Sequence, residues 1–182
     1  MKKTLILLAE GFEEVEALTV VDLLRRAEIG CDMVAAADAG QVTGSHGITV
    51  RADKVFSQAD TEAYDGLILP GGMPGTKNLA ADGRVLDLLR RFHAAGRLTA
   101  AICAAPTVLA QAGLLEGRSA VCYPGMEGQL SGARVCFDPV AVDGSVITGR
   151  GLGTAIAFAL AIVAYFKGPE RADALAKAIV CR

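Results

Sequence analysis

Short apolar runs, each followed by a longer amphipathic stretch, restrict this chain to few architectures. Thr4–Ala9, Cys31–Ala36, Gly66–Leu69 and Leu98–Ile102 are apolar at most consecutive positions, as expected of strands buried on both faces of a sheet. Glu13–Ile29, Arg84–Ala95, Ala104–Ala112, Gly153–Phe166 and Pro169–Ile179 read as helices, most with an apolar stripe at helical spacing. Such alternation predicts a mostly parallel sheet covered by helices on both faces. Shorter strands are expected at Ser119–Cys122, Arg134–Phe137 and Val146–Thr148, and Gln41–Arg51 reads as a hairpin around Gly44 and Gly47. With no linker or repeat, residues 1–182 form one doubly wound α/β domain, a class that binds ligands at the carboxyl ends of its strands.

Composition narrows the functions available. A content of 52% hydrophobic residues in 182 is ample for a core on both sides of one sheet. The formal net charge of −2 gives no electrostatic reason to bind nucleic acid or anionic membranes, so small or neutral ligands are the expected partners. Cys31, Cys103, Cys122, Cys136 and Cys181 are odd in number and form no CxxC or Cys/His cluster. That argues against a disulfide framework and a structural zinc site, and favours a reducing cytoplasm. The apolar stretch after Lys2-Lys3 stops at Glu10, too early for a signal peptide, and reads as a first strand. The uncharged run from Leu98 to Leu115 contains Thr99, Pro106, Thr107, Gln111 and Gly113 and reads as strand, turn and helix, not as a membrane span.

Cys103 lies where that strand breaks into the helix. A residue at such a corner has a strained backbone and an exposed side chain, and the following amide is free to bind an anion. Its neighbours two residues away, Ala101 and Ala105, are small enough for the corner to close, and Pro106 falls in the first helical turn, where its missing N–H costs nothing. Proximity to a helix N-terminus is expected to lower the thiol pKa. The other four cysteines read as inert.

Glu13, Glu14 and Glu16 open the first helix. For Glu13 and Glu14, attraction to the positive end of the helix dipole is a sufficient account. Glu16 instead lines up with Val20, Leu23 and Ala27 on the apolar stripe. A carboxyl group forced toward a core keeps its proton and can donate a hydrogen bond to a thiolate, so a Glu16–Cys103 couple is expected, with Glu16→Leu raising the thiol pKa. Leu69-Pro70-Gly71-Gly72-Met73-Pro74-Gly75 is a tight turn at a strand end, and the Gly72 and Ala104 amides together could form an oxyanion hole. Arg150-Gly151-Leu152-Gly153-Thr154 is a second glycine turn that lacks the lysine of a phosphate loop and the spacing of a dinucleotide fingerprint. No cofactor or metal is therefore expected. His93 reads as solvated beside Arg90 and Arg91, His46 sits in the hairpin, and nothing ties either to Cys103.

Together, Ala9-Glu10-Gly11-Phe12-Glu13-Glu14-Val15-Glu16, Leu69-Pro70-Gly71-Gly72, Ala100-Ala101-Ile102-Cys103-Ala104-Ala105-Pro106-Thr107 and Gly149-Arg150-Gly151-Leu152-Gly153-Thr154 resemble the ThiJ/PfpI superfamily, in its branch of the parkinsonism-associated deglycase and bacterial ThiJ-type proteins. The resemblance spans essentially the whole chain. It implies a flavodoxin-like fold related to class I glutamine amidotransferases, a homodimer, and an oxidisable Cys103 with Glu16 as its protonated partner. Gly72 and Ala104 match the family's backbone donors, Gly71, Tyr123, Arg150 and Gly151 fall near its site, and Arg26 matches an arginine near its dimer interface. The chain departs from the pattern at His46, where relatives often carry arginine, at Tyr123, where the deglycase branch often carries histidine, and at Ala104, where the protease branch has histidine. No histidine follows His93, which disfavours a triad peptidase or amidotransferase. Two readings remain: a glyoxalase/deglycase-type enzyme acting on small aldehydes such as methylglyoxal, or a non-catalytic redox sensor or chaperone in which an oxidant modifies Cys103.

Overall fold

The computed structural model describes residues 1–181. Its elements in chain order are β1 (Lys3–Leu8), α1 (Glu14–Arg26), β2 (Gly30–Ala35), β3 (Gln41–Thr43), β4 (Thr49–Arg51), β5 (Lys54–Val55), β6 (Gly66–Leu69), α2 (Gly75–Ala81), α3 (Gly83–Ala94), β7 (Leu98–Ile102), α4 (Pro106–Gln111), β8 (Ser119–Ala120), β9 (Arg134–Val135), β10 (Val140–Asp143), β11 (Val146–Gly149), α5 (Ala155–Lys167) and α6 (Pro169–Ala178). The main sheet has the order β10-β11-β7-β6-β1-β2-β5. It is parallel except for the β10–β11 pair at one edge.

Strand geometry explains why these runs are apolar throughout. Successive side chains point to opposite faces, so in β1 Leu5 and Leu7 join one core cluster while Ile6 and Leu8 join the other. The first cluster continues with Leu88, Leu89 and Phe92 of α3 and Val108 of α4. Val20 and Leu24 of α1 and Phe158 and Ile162 of α5 complete the second. Each such side chain, fully buried, contributes about 1.5–3 kcal/mol. Among the described residues no helix is long and apolar enough to cross a membrane.

The expected hairpin forms as the antiparallel β3–β4 pair. Two expected strands shrink to Ser119–Ala120 and Arg134–Val135, which pair with each other outside the main sheet. The reason is local: the Val121 amide donates to the Thr148 Oγ1 at 3.0 Å instead of to a ladder carbonyl, and Pro124 two residues on from Cys122 has no amide to offer. The α1 helix stops at Arg26, short of Ile29, because the chain turns through Glu28 at φ 60°. β5, α2 and β10 are not expected from the sequence. β5 is two residues long, and α2 buries only Gly75, Thr76 and Leu79, so neither has a periodicity to detect.

Candidate active site

The break between β7 and α4 places Cys103 at φ 66°, in the left-handed region that non-glycine residues avoid. Such a backbone costs about 1–3 kcal/mol and persists only when its surroundings hold it. Here the Cys103 amide donates to the Gly149 carbonyl of β11 at 2.9 Å, and its own carbonyl accepts from the Tyr123 amide at 2.8 Å. Ala101 and Ala105 are fully buried beneath the corner. The thiol is half-buried, with the Ala104 and Gly72 amides facing the sulfur.

Glu16 reaches the same place from α1. Its side chain is completely buried, and its Oε2 accepts from the Gly71 amide at 2.9 Å. Gly71 is the spacer that lets acid and thiol meet: a Cβ there would lie 2.6 Å from Cys103 Cβ and 2.7 Å from Glu16 Oε2. Gly72 follows at φ 91°, which turns its amide toward the sulfur. The other carboxyl oxygen, Oε1, is buried with no hydrogen-bond partner, and acid and thiol interact through both charge and a hydrogen bond.

Burial pushes the Glu16 carboxyl up to about 7, against the Gly71 amide and the thiol, which both favour its charged form, while the Glu13 charge raises it further. The protonated acid anticipated from its apolar stripe is therefore the form in acidic solution and shares neutral solution with the carboxylate. The thiol behaves otherwise than expected. Burial pushes it up to about 12, the Glu16 charge and hydrogen bond add to the rise, and the Ala104 and Gly72 amides oppose it. The helix that follows, α4, has only six residues and offers little dipole to offset desolvation. Cys103 is thus not ionised by its position alone. Acid and thiol form one titrating pair in which charge on either disfavours charge on the other. The sign expected for loss of Glu16 reverses accordingly, because removing the carboxylate charge eases ionisation of the thiol.

A pocket of about 400 Å³ opens over the sulfur, walled by Gly72, Met73, Ala104, Tyr123, Pro124 and Met126. Met73 falls inside the glycine turn after β6 but is not singled out there, and Met126 belongs to no motif. Tyr123 is 52% exposed, and the hydrogen bond its amide donates to the Cys103 carbonyl fixes it at the rim. Gly151 lies under the Tyr123 ring, where an added Cβ would sit 3.6 Å from Cδ2. Arg150 turns away, its guanidinium 3.8 Å from a Glu127 oxygen and 3.2 Å from the Phe137 carbonyl; neither it nor Gly151 lines the pocket.

The model of the DJ-1/PfpI family matches residues 2–165. The chain belongs to the DJ-1/PfpI family. DJ-1beta of Drosophila melanogaster is 38% identical over 181 residues, which cover 98% of this chain and 97% of the relative. A deglycase of Pyrococcus horikoshii is 32% identical over 151 residues, 81% of this chain and 89% of that protein. The solved structure of Toxoplasma gondii DJ-1, described as oxidized, superposes with a TM-score of 0.95 at 35% identity, covering 99% of this chain and 98% of that one.

Within this DJ-1/PfpI chain the remaining site candidates lie apart from the thiol pocket. Arg26 is exposed and pairs with Asp22 one turn back at 2.7 Å. His46 is exposed, with Nδ1 3.0 Å from Glu14 and 3.5 Å from Glu13. Glu14 corrects the dipole account given above: it is buried, and it accepts from the His46 amide at 2.7 Å and the Ile48 amide at 3.4 Å. Burial alone would raise it, but these bonds and the His46 ring hold it down at about 2. Glu13, Glu14 and His46 bring ligand-type atoms within 4.8 Å of one another, yet Glu14 is already committed to the hairpin backbone. His93, expected in solvent, is half-buried, and burial and Arg118 lower its pKa. All five cysteines are free. Burial pushes Cys31 up to about 12 and Cys122 up to about 11, and both are buried, whereas Cys181 is exposed.

Proposed function

We propose that this protein is a cofactor-independent, cysteine-dependent enzyme of glyoxalase/deglycase type that converts methylglyoxal to lactate. The observation that carries the reading is the coupling of a strained, pocket-facing Cys103 to a buried Glu16 pushed up to about 7, close to the pH at which a proton shuttle is most effective. As the sulfur adds to the aldehyde carbon, the Glu16 carboxylate takes the thiol proton and delivers it to the resulting oxygen, giving a hemithioacetal. The Glu16 carboxylate then takes the proton from that carbon and returns it to the neighbouring one, while the hydroxyl proton passes to the neighbouring oxygen, which leaves a lactate thioester. Water cleaves the thioester and restores the thiol, so methylglyoxal plus water gives lactate and a proton with no net redox change. The Gly72 and Ala104 amides face the sulfur itself and act on its charge, so they serve the thiolate more directly than a substrate oxyanion. The name of the Pyrococcus horikoshii deglycase supports the same chemistry.

A second reading, an oxidation sensor or redox-regulated chaperone, is favoured by Tyr123, since a phenol replaces the histidine base at the pocket rim. Here the thiolate attacks a peroxide oxygen, hydroxide leaves, and a second peroxide carries the sulfenic acid to sulfinic acid. The oxidized state of the Toxoplasma gondii protein supports it. Lactate formed from methylglyoxal, measured beside Cys103→Ser, separates the two: lactate above the Cys103→Ser background is expected. Equal traces with two oxygens gained at Cys103 under peroxide leave only the sensor. A homodimer through the face of Arg26 and His46 is part of either reading.

A further inference from the structure

The pocket over Cys103 does not end at its own rim. Met73 and Met126 wall it on one side, and the same two residues wall a second pocket of about 420 Å³. Lys77, Gln111, Gln129 and Ser131 line that second pocket, and no carboxylate does. Among the described residues Lys77 enters no ion pair. Both walls extend the elements that build the thiol site. α2, which carries Lys77, begins three residues after Gly72, and α4, which carries Gln111, begins three residues after Cys103. The Gln111 Nε2 donates to the Ala80 carbonyl at 3.1 Å and ties the two helices together.

We infer that the second pocket is a subsite for the anionic end of a larger carbonyl substrate, a carboxylate or a phosphate held by Lys77, whose aliphatic spacer crosses Met73 and Met126 while its aldehyde reaches Cys103. A lysine with uncharged amide and hydroxyl neighbours is a one-sided electrostatic environment that favours an anion. The two methionines between the pockets are apolar and adaptable, suited to a flexible chain. The inference extends the aldehyde reading by naming the substrate class.

The test does not require turnover. Maleimides label Cys103 directly, and their rates are read at the Cys103 peptide by mass spectrometry so that exposed Cys181 does not interfere. Three reagents of matched alkyl length, ending in a methyl, a carboxylate or a phosphate, are compared at low salt on the full chain and on Lys77→Met. An anionic tail is expected to label wild type about fivefold faster than the methyl tail, the scale of an exposed charge pair. That advantage disappears in Lys77→Met, while the methyl-tailed reagent reacts equally with both proteins. The faster of the two anionic reagents assigns carboxylate or phosphate. No anionic advantage in wild type, or one that survives Lys77→Met, overturns the subsite. Because labelling is independent of catalysis, a Lys77-dependent advantage without lactate formation rejects the aldehyde reaction and keeps the anion subsite; lactate without the advantage does the opposite.

Discussion

At the scale of single residues, the site is a compromise between burial and charge. Glu16 has an ordinary value of 4.5 and is pushed up to about 7 in the folded chain. Between those values the native protein holds a proton that the unfolded chain has released, so stability from this group is complete below pH 4.5 and is lost as pH rises through 7. At about 1.4 kcal/mol per pH unit, the full loss is about 3 kcal/mol. Glu16→Gln fills the same space without a titrating proton. Relative to wild type it should therefore gain about 3 kcal/mol of stability between pH 4.5 and 8, measured by denaturant unfolding at several pH values. A stability difference that stays constant across that range contradicts the raised acid. The sequence showed this residue because an acid on an apolar stripe is out of place. It did not show the thiol's own response, since desolvation depends on how deep the corner sits, and no spacing encodes depth.

At the scale of elements, α1 does two jobs from neighbouring positions. Glu16 turns inward to the thiol, and Glu14 clamps the β3–β4 hairpin through the His46 and Ile48 amides. This clamp was not legible, because a glutamate in a first turn is already explained by the helix dipole, and its partners lie more than thirty residues away. Around the clamp Val15, next to Glu14 in the chain, is 47% exposed and Ile48, whose amide bonds Glu14, is 53% exposed, two large apolar side chains on the surface proposed for self-association. Val15→Arg places a charge there without touching either core. Wild type is expected to sediment as a dimer and Val15→Arg to shift toward monomer, by analytical ultracentrifugation across micromolar concentrations. A wild-type monomer contradicts the proposed interface. The long strands were legible as continuous apolar runs and the long helices from their apolar stripes, whereas α2 and β5 were too short to show either, and β10 was fixed by its antiparallel pairing with β11.

At the scale of the whole molecule, strand order decides where chemistry can occur. β2 lies on one side of β1 and β6 on the other, so the connections that leave β1 and β6 diverge and open a crevice at their carboxyl ends. α1 follows β1 and brings Glu16; the turn after β6 brings Gly71 and Gly72; β7 beside it ends at Cys103. Three consecutive strands thus deliver acid, amides and thiol to one point, with Gly71 small enough to let them touch. The central claim is that Glu16 and Cys103 titrate as a single unit. It is tested most directly by the rate of Cys103 alkylation by iodoacetamide from pH 5 to 10, read at the Cys103 peptide for wild type and Glu16→Gln. Wild type should show a step in rate near pH 7, where the pair gives up its first proton. Glu16→Gln should lose that step and react faster than wild type at the alkaline end of the range, where its thiol ionises more readily. Superimposable profiles for the two proteins would contradict the coupling.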